Sequence, residues 1–277
     1  MEYITLNTGA QMPKLGLGVF QMSDEEVAAA VPAAIEAGYR LFDTASRYYN
    51  EGALGKAIAT CGVPREELFI TTKLWFKDYG YERTKEAFRV SLDLLGLDYL
   101  DLDLMHQPFN DYYGAWRALE ELHEQGLIRS IGVSNFYPDR YADLIQHNRV
   151  VPAVNQRQAH PFNQQIDAQA QAAEHGTVLQ AWSPLAQGNP EVLNHPVLRV
   201  IAEAHGKSVP QVILRWLTQR DVAVVVKSTH ADRLAANIDV FGFALSDAEM
   251  AAIATIDRKE GPDHQDPAML ERLLALE

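Results

Sequence analysis

Short apolar runs alternate with amphipathic stretches along most of the chain. The runs are LFDTA (41–45), LFITTKL (68–74), DLDLMH (101–106), IRSIGVSN (128–135), VPAVNQ (151–156), TVLQAWSP (177–184) and VAVVVKS (222–228). They are too short for helices and rich in β-formers, so they predict buried strands. Stretches 24–37, 81–95, 113–125, 166–175 and 209–220 carry apolar residues at helical spacing and predict helices between those strands. Each run ends on a polar or aromatic marker: Asp43, Lys73, His106, Ser134, Gln156, Trp182 and Lys227. Successive markers lie 30, 33, 28, 22, 26 and 45 residues apart. A strand, a loop and a crossover helix need about 30 residues. With GLGVF (16–20) the count reaches eight strands, and eight β–α units in this length predict a (β/α)₈ TIM barrel.

The flanks depart from this rhythm. YITLN and MPKLG, joined across Thr8-Gly9-Ala10, predict an N-terminal β-hairpin that plugs the barrel's N-terminal face. The long gap before Lys227 leaves room for an extra segment at 189–195. Two more helical patterns, 247–256 and 269–276, follow the last barrel unit. No low-complexity linker divides the chain, so one domain over 1–277 is expected.

Composition narrows the function classes. The 24 Lys and Arg residues against 37 Asp and Glu residues give a formal charge of −13, which disfavours nucleic acid and anionic membranes as partners. The single cysteine, Cys61, excludes an internal disulfide framework. The start of the chain lacks a signal-peptide pattern and no apolar run approaches a membrane span, so a cytoplasmic location is expected. The nine histidines are scattered with no H-E-x-x-H, and no metal site is expected. No G-x-S-x-G occurs, which argues against a serine hydrolase.

The candidate chemistry lies at strand ends, where barrel enzymes assemble their sites. Tyr48 is the candidate proton donor, although a free phenol, with a pKa of about 10, is a poor acid near neutrality. A charged Lys73 beside it is expected to lower that value, with Asp43 holding Lys73 charged. His106 is placed to hydrogen-bond a carbonyl oxygen. Such a set can polarise a carbonyl and protonate it, but it needs a hydride source.

FDTASRYYNE, TTKLW, LMHQP, GVSNF, VNQ, AWSPL and VVVKS, in this order, resemble the aldo-keto reductases. The similarity runs from about Gly16 to Asn237, with a further likeness in DRKEGPDHQDP, and is nearest to the microbial branch that includes 2,5-diketo-D-gluconate reductases. The resemblance implies a TIM barrel, NADPH as cofactor, and reduction of aldehydes or ketones, with keto sugars and α-dicarbonyls such as 2,5-diketo-D-gluconate or methylglyoxal as candidate substrates. It implies Asp43, Tyr48, Lys73 and His106 as the acid–base tetrad. For the cofactor it implies Ser134, Asn135 and Gln156 on the nicotinamide carboxamide, and Trp182, where many relatives have Tyr, stacked on the ring beside Ser183. Leu185, Gln187 and Gly188 are implied along the pyrophosphate. Lys227, Ser228, Thr229, Arg233 and Asn237 are implied at the 2′-phosphate and adenine. Many relatives carry Glu before that Asn; this chain has Ala236. No G-x-G-x-x-G opens a helix here, in keeping with a family that binds NADPH without it.

Phe20, Tyr49, Trp75 and Phe109 are the expected apolar substrate wall, joined by His106. Gln107 stands where many relatives have Trp, and Arg47 precedes Tyr48; together they are expected to favour polar or anionic carbonyl compounds. A monomer is expected. The competing reading is a regulatory, redox-sensing barrel that holds NADPH with little turnover.

Overall fold

The computed structural model describes residues 1–276. The strands are β1 (Tyr3–Thr5), β2 (Gln11–Pro13), β3 (Leu15–Gly18), β4 (Leu41–Asp43), β5 (Phe69–Leu74), β6 (Leu100–Met105), β7 (Ile128–Ser134), β8 (Val154–Gln158), β9 (Val178–Trp182) and β10 (Ala223–Val226). The helices are α1 (Asp24–Ala37), α2 (Glu51–Ala59), α3 (Tyr81–Leu95), α4 (Tyr112–Glu124), α5 (Pro138–Gln146), α6 (Ile166–Glu174), α7 (Pro190–Leu193), α8 (Pro196–His205), α9 (Val209–Gln219), α10 (Ala231–Ile238), α11 (Asp247–Ala254) and α12 (Pro267–Leu274). Strands β3 to β10 close into a barrel in which every neighbouring pair is parallel, β10 returning to β3. This is the (β/α)₈ barrel that the alternating pattern predicts. β1 and β2 pair antiparallel as the predicted hairpin.

Local signals set the helix ends. Ser23 and Glu26 form a reciprocal capping box at the start of α1, and Gly38 closes it at φ 102°, a left-handed value suited to glycine. The same box recurs with Ser208 and Gln211 before α9 and with Ser246 and Glu249 before α11.

Alternation along each strand divides the core in two. Leu41, Phe69, Leu102, Leu104, Val154, Val178, Ala223 and Val225 face the barrel interior, and Leu6 and Met12 of the hairpin close its floor. Phe42, Ile70, Met105, Val133 and Leu179 point outward into the layer shared with the helices. Each interior row then changes character toward its C-terminal end. Two residues past Leu41 comes Asp43, past Leu104 comes His106, past Val154 comes Gln156, and past Val225 comes Lys227. The apolar floor therefore carries a polar cap at one mouth.

Among the described residues no helix is long and apolar enough to cross a membrane. In the loop after β8, His160 is buried and its Nδ1 accepts the Phe162 N–H at 3.3 Å, so the ring is neutral. Burial pulls its pKa from the ordinary 6.5 down to about 4. An unfolded His160 takes up a proton near pH 6.5, which the folded one refuses until about 4, so the folded state loses stability as pH falls through that window. His160→Gln is expected to flatten the melting-temperature profile between pH 6.5 and 4 relative to wild type. Parallel profiles would show that another group sets the acid limb.

Candidate active site

β4 and β5 bring Asp43 and Lys73 together. Lys73 Nζ donates to Asp43 Oδ1 at 2.5 Å and to the Thr44 carbonyl at 2.8 Å, and lies 3.4 Å from the Tyr48 hydroxyl. Burial disfavours the ammonium, but Asp43 and then Tyr48 outweigh it, and the Lys73 pKa lies above its ordinary value. Lys73 is therefore a buried, fully charged cation beside a phenol. Tyr48 sits on a single turn of 3₁₀ helix (Ser46–Tyr48) that follows β4. Asn50 anchors this loop: its amide donates to the Val19 and Met22 carbonyls, and its oxygen accepts from Thr44.

One expectation needs correcting. Lys73 does pull the Tyr48 pKa down, but burial pushes it up by more, and the phenol ends above its ordinary value. Desolvation of a phenolate costs more here than one cation at 3.4 Å returns, because Asp43 already takes up part of that cation's field. Tyr48 is thus held protonated through neutral pH.

His106 ends the β6 row, edge-on to Tyr48 with ring centroids 5.7 Å apart, and edge-on to Trp75 at 5.2 Å. Burial, then the Lys73 charge, push its pKa well below the ordinary value, so the imidazole is neutral. Its Nδ1 is buried without a partner among the described residues. The barrel mouth therefore presents a protonated phenol backed by a cation, with a neutral imidazole beside it.

The next strands supply a hydrogen-bonded girdle. Gln156 Nε2 donates to Asp43 Oδ2 at 2.8 Å and to Gln180 Oε1 at 2.7 Å. Both its protons are committed, so Gln156 braces Asp43. Ser134 donates to the Gln156 carbonyl. Asn135, at φ 62°, donates to the His106 carbonyl at 3.1 Å and accepts from the Trp182 indole N–H at 3.0 Å. Asn135 thus fixes the half-buried Trp182 ring over the mouth. Gln180, Asn50 and Thr44 escape sequence reasoning because they act through partners distant in the chain. The interior-row alternation is the signal that would flag Gln180.

Segment 183–188 turns through left-handed φ at Ser183 (49°), Ala186 (50°), Gln187 (55°) and Gly188 (81°). Three of these residues bear a β-carbon, and such conformations cost of order 1–3 kcal/mol each where they are retained for a functional constraint. Lys227 and Arg233 stand exposed and form no ion pair among the described residues; Lys227 donates only to the Gln21 carbonyl, at 2.8 Å. Ser228 and Asn237 are buried, and Thr229 is half-buried at the start of α10. These are two unneutralised cations on a chain of net charge −13.

The proposed wall is uneven. Phe20 stacks on Tyr48 with centroids 4.9 Å apart, while Trp75 and Phe109 pack around Phe76. Tyr49 stands at the rim, 75% exposed, and serves as a platform for Arg47, whose guanidinium lies 4.8 Å from its ring centre. Arg47 also lies 6.0 Å from the Trp75 ring and contributes to the depressed His106 pKa. Gln107 is buried, its backbone pinned on both sides by the Tyr79 hydroxyl and its side-chain oxygen 3.5 Å from Asn135 Nδ2.

Residues 12–258 match the profile of the aldo/keto reductase family. A Pseudomonas putida protein named morphine 6-dehydrogenase is 48% identical over 279 residues, covering 95% of this chain and 94% of that one. The methylglyoxal reductase DkgA of Escherichia coli K12 is 44% identical, covering 94% and 96% of the two chains. Among solved structures, a Bombyx mori aldo-keto reductase in complex with NADP superposes with a TM-score of 0.90 at 36% identity, covering 97% of this chain and 96% of that one.

Proposed function

The chain belongs to the aldo/keto reductase family, and from that premise we propose that it reduces aldehydes or ketones to alcohols with NADPH, Tyr48 being the general acid. The observation that carries this reading is the Asp43–Lys73–Tyr48 chain at the barrel mouth, with 2.5 Å and 3.4 Å between successive partners. When bound, NADPH supplies the hydride. The residues present suit it. Lys227 and Arg233 are cations free to meet a 2′-phosphate, and Trp182 offers a fixed flat face to the nicotinamide. Ser183, Leu185, Gln187 and Gly188 line the strained segment suited to the pyrophosphate, and Ser228, Thr229 and Asn237 suit the adenosine end. Because Gln156 Nε2 is committed to Asp43 and Gln180, only its Oε1 is left for a carboxamide N–H, with Ser134 and Asn135 alongside.

Tyr48 and His106 receive the carbonyl oxygen between them. The neutral imidazole orients it by a hydrogen bond, and the Tyr48 proton moves to that oxygen as negative charge grows there. Lys73 stabilises the phenolate left behind, and Asp43, braced by Gln156, keeps Lys73 in place. The test is NADPH consumption by the purified protein against a panel of aldehydes, α-dicarbonyls and keto sugars. Turnover establishes a carbonyl reductase. NADPH binding without turnover across the panel would favour the sensing role.

Arg47 gives this site a preference for carbonyl compounds that carry a carboxylate. Its guanidinium is half-buried at the mouth, held on Tyr49 and without an ion-pair partner among the described residues. Arg47→Ala is expected to lower kcat/KM for a keto acid roughly tenfold or more relative to a neutral aldehyde of similar size. An equal loss on both substrates would remove the charge-recognition role.

A further inference from the structure

We infer that the chain has a second small-molecule site, separate from the barrel mouth, in which Arg157 binds a monoanionic organic carboxylate beneath segment 257–265. Arg157 follows Gln156 on β8 and so points the opposite way, out of the barrel. It is 5% exposed. Its guanidinium stacks 4.1 Å from the centre of the Tyr137 ring and has no carboxylate within ion-pair distance among the described residues. A buried arginine is ordinarily paired, because an uncompensated charge is costly to desolvate. Here burial pulls the guanidinium pKa below its ordinary value, and what opposes that pull is the Tyr137 hydroxyl, not a carboxylate.

The guanidinium lines a cavity of about 600 Å³, a size that suits a small ligand. Its walls are fixed. The Tyr137 hydroxyl donates to the Pro262 carbonyl, and the backbone N–H groups of Arg258 and Glu260 both donate to the Phe162 carbonyl. His264 stands beside Tyr137, with ring centroids 5.8 Å apart; it is 7% exposed and its Nδ1 has no partner among the described residues. The Arg157 guanidinium is thus a buried cation with no carboxylate partner among the described residues, and His264 nearby is more than nine-tenths buried with one ring nitrogen unsatisfied.

The lining selects the ligand. A guanidinium stacked on a ring keeps its in-plane N–H groups free, the geometry that matches a carboxylate edge. Pro138, Ile166 and Ala168 offer apolar surface for an organic body. Asp167, Asp257 and Asp263 also line the cavity, together with Lys259, which pairs with Asp167 at 3.4 Å; the surplus of carboxylates disfavours a phosphate dianion. Asp257 Oδ1 is already engaged by the backbone N–H groups of Gln164 and Lys259. None of Asp43, Tyr48, Lys73 or His106 lines this cavity.

The experiment is calorimetric titration of the full chain with benzoate, and with benzamide as the neutral control. Benzoate is expected to bind wild type and Tyr48→Phe equally, and benzamide far more weakly. Arg157→Gln is expected to weaken benzoate roughly tenfold or more. Ala168→Phe, which fills the cavity and leaves the guanidinium in place, is expected to do the same, so the result does not rest on one variant. Absence of benzoate binding to wild type would overturn the proposal. So would binding lost in Tyr48→Phe, which assigns it to the barrel mouth, or binding unchanged in Arg157→Gln or Ala168→Phe.

Discussion

Tyr48→Phe is expected to abolish measurable carbonyl reduction while leaving NADPH affinity nearly unchanged. The substitution removes one hydroxyl and keeps the ring that stacks on Phe20 and faces His106. General acid catalysis contributes about 10²–10⁴-fold. The loss here should fall at the upper end, because no second acid stands ready: His106 is neutral with a depressed pKa, and Lys73 is committed to Asp43 and the Thr44 carbonyl. Parallel measurement of turnover and of NADPH binding by fluorescence decides the case. Retained turnover would remove Tyr48 from the role of acid. Loss of both turnover and binding would point to a damaged fold, which a thermal melt would reveal.

Asp43→Ala should produce the largest stability change of any single substitution at the site. It leaves the Lys73 ammonium, 1% exposed, without its carboxylate, and deprives Gln156 of one of its two acceptors. Removing one partner of a buried ion pair costs about 3–5 kcal/mol, because the remaining charge is stranded. Urea unfolding would read this as a lower midpoint at an unchanged slope. The double variant Asp43→Leu with Lys73→Met removes both charges and is expected to recover much of that stability without recovering activity. If the double variant is less stable than Asp43→Ala, the pair is worth more to the fold than a stranded charge costs. If the single variant is as stable as wild type, Lys73 has another partner or loses its proton.

Two interior rows show how far local pattern reaches. On β4 and β6, apolar residues two apart lead to Asp43 and His106, so a period-2 reading delivers both the strand and the face. Tyr48 is different, because its place depends on Asn50 clamping the loop to the carbonyls of Val19 and Met22, contacts that span about thirty residues of sequence. Gln156 shows the same limit. Its position at a strand end is legible, yet its commitment to Asp43 across 113 residues depends on barrel closure. Tyr49 lies one residue from Tyr48, but its left-handed φ of 59° turns it to the rim, where it supports Arg47. Periodicity does not bring out helices α2, α5, α8 and α10: α2, α5 and α10 run only eight or nine residues, where a helical period is poorly sampled, and α8 runs ten.

By itself the sequence determined the barrel, the N-terminal hairpin and the strand-end members of the candidate acid–base set, Asp43, Lys73 and His106, because alternation, spacing and residue type are local quantities written along the chain. Closure of eight strands decided the rest. It set which of the opposing effects governs the Tyr48 proton, burial or the Lys73 charge. It turned Gln156 onto Asp43 and tied Trp182 to Asn135. It also left Arg157 buried without an acid. Desolvation and charge pairing depend on what the whole fold brings within a few ångströms, and no stretch of sequence carries that information alone.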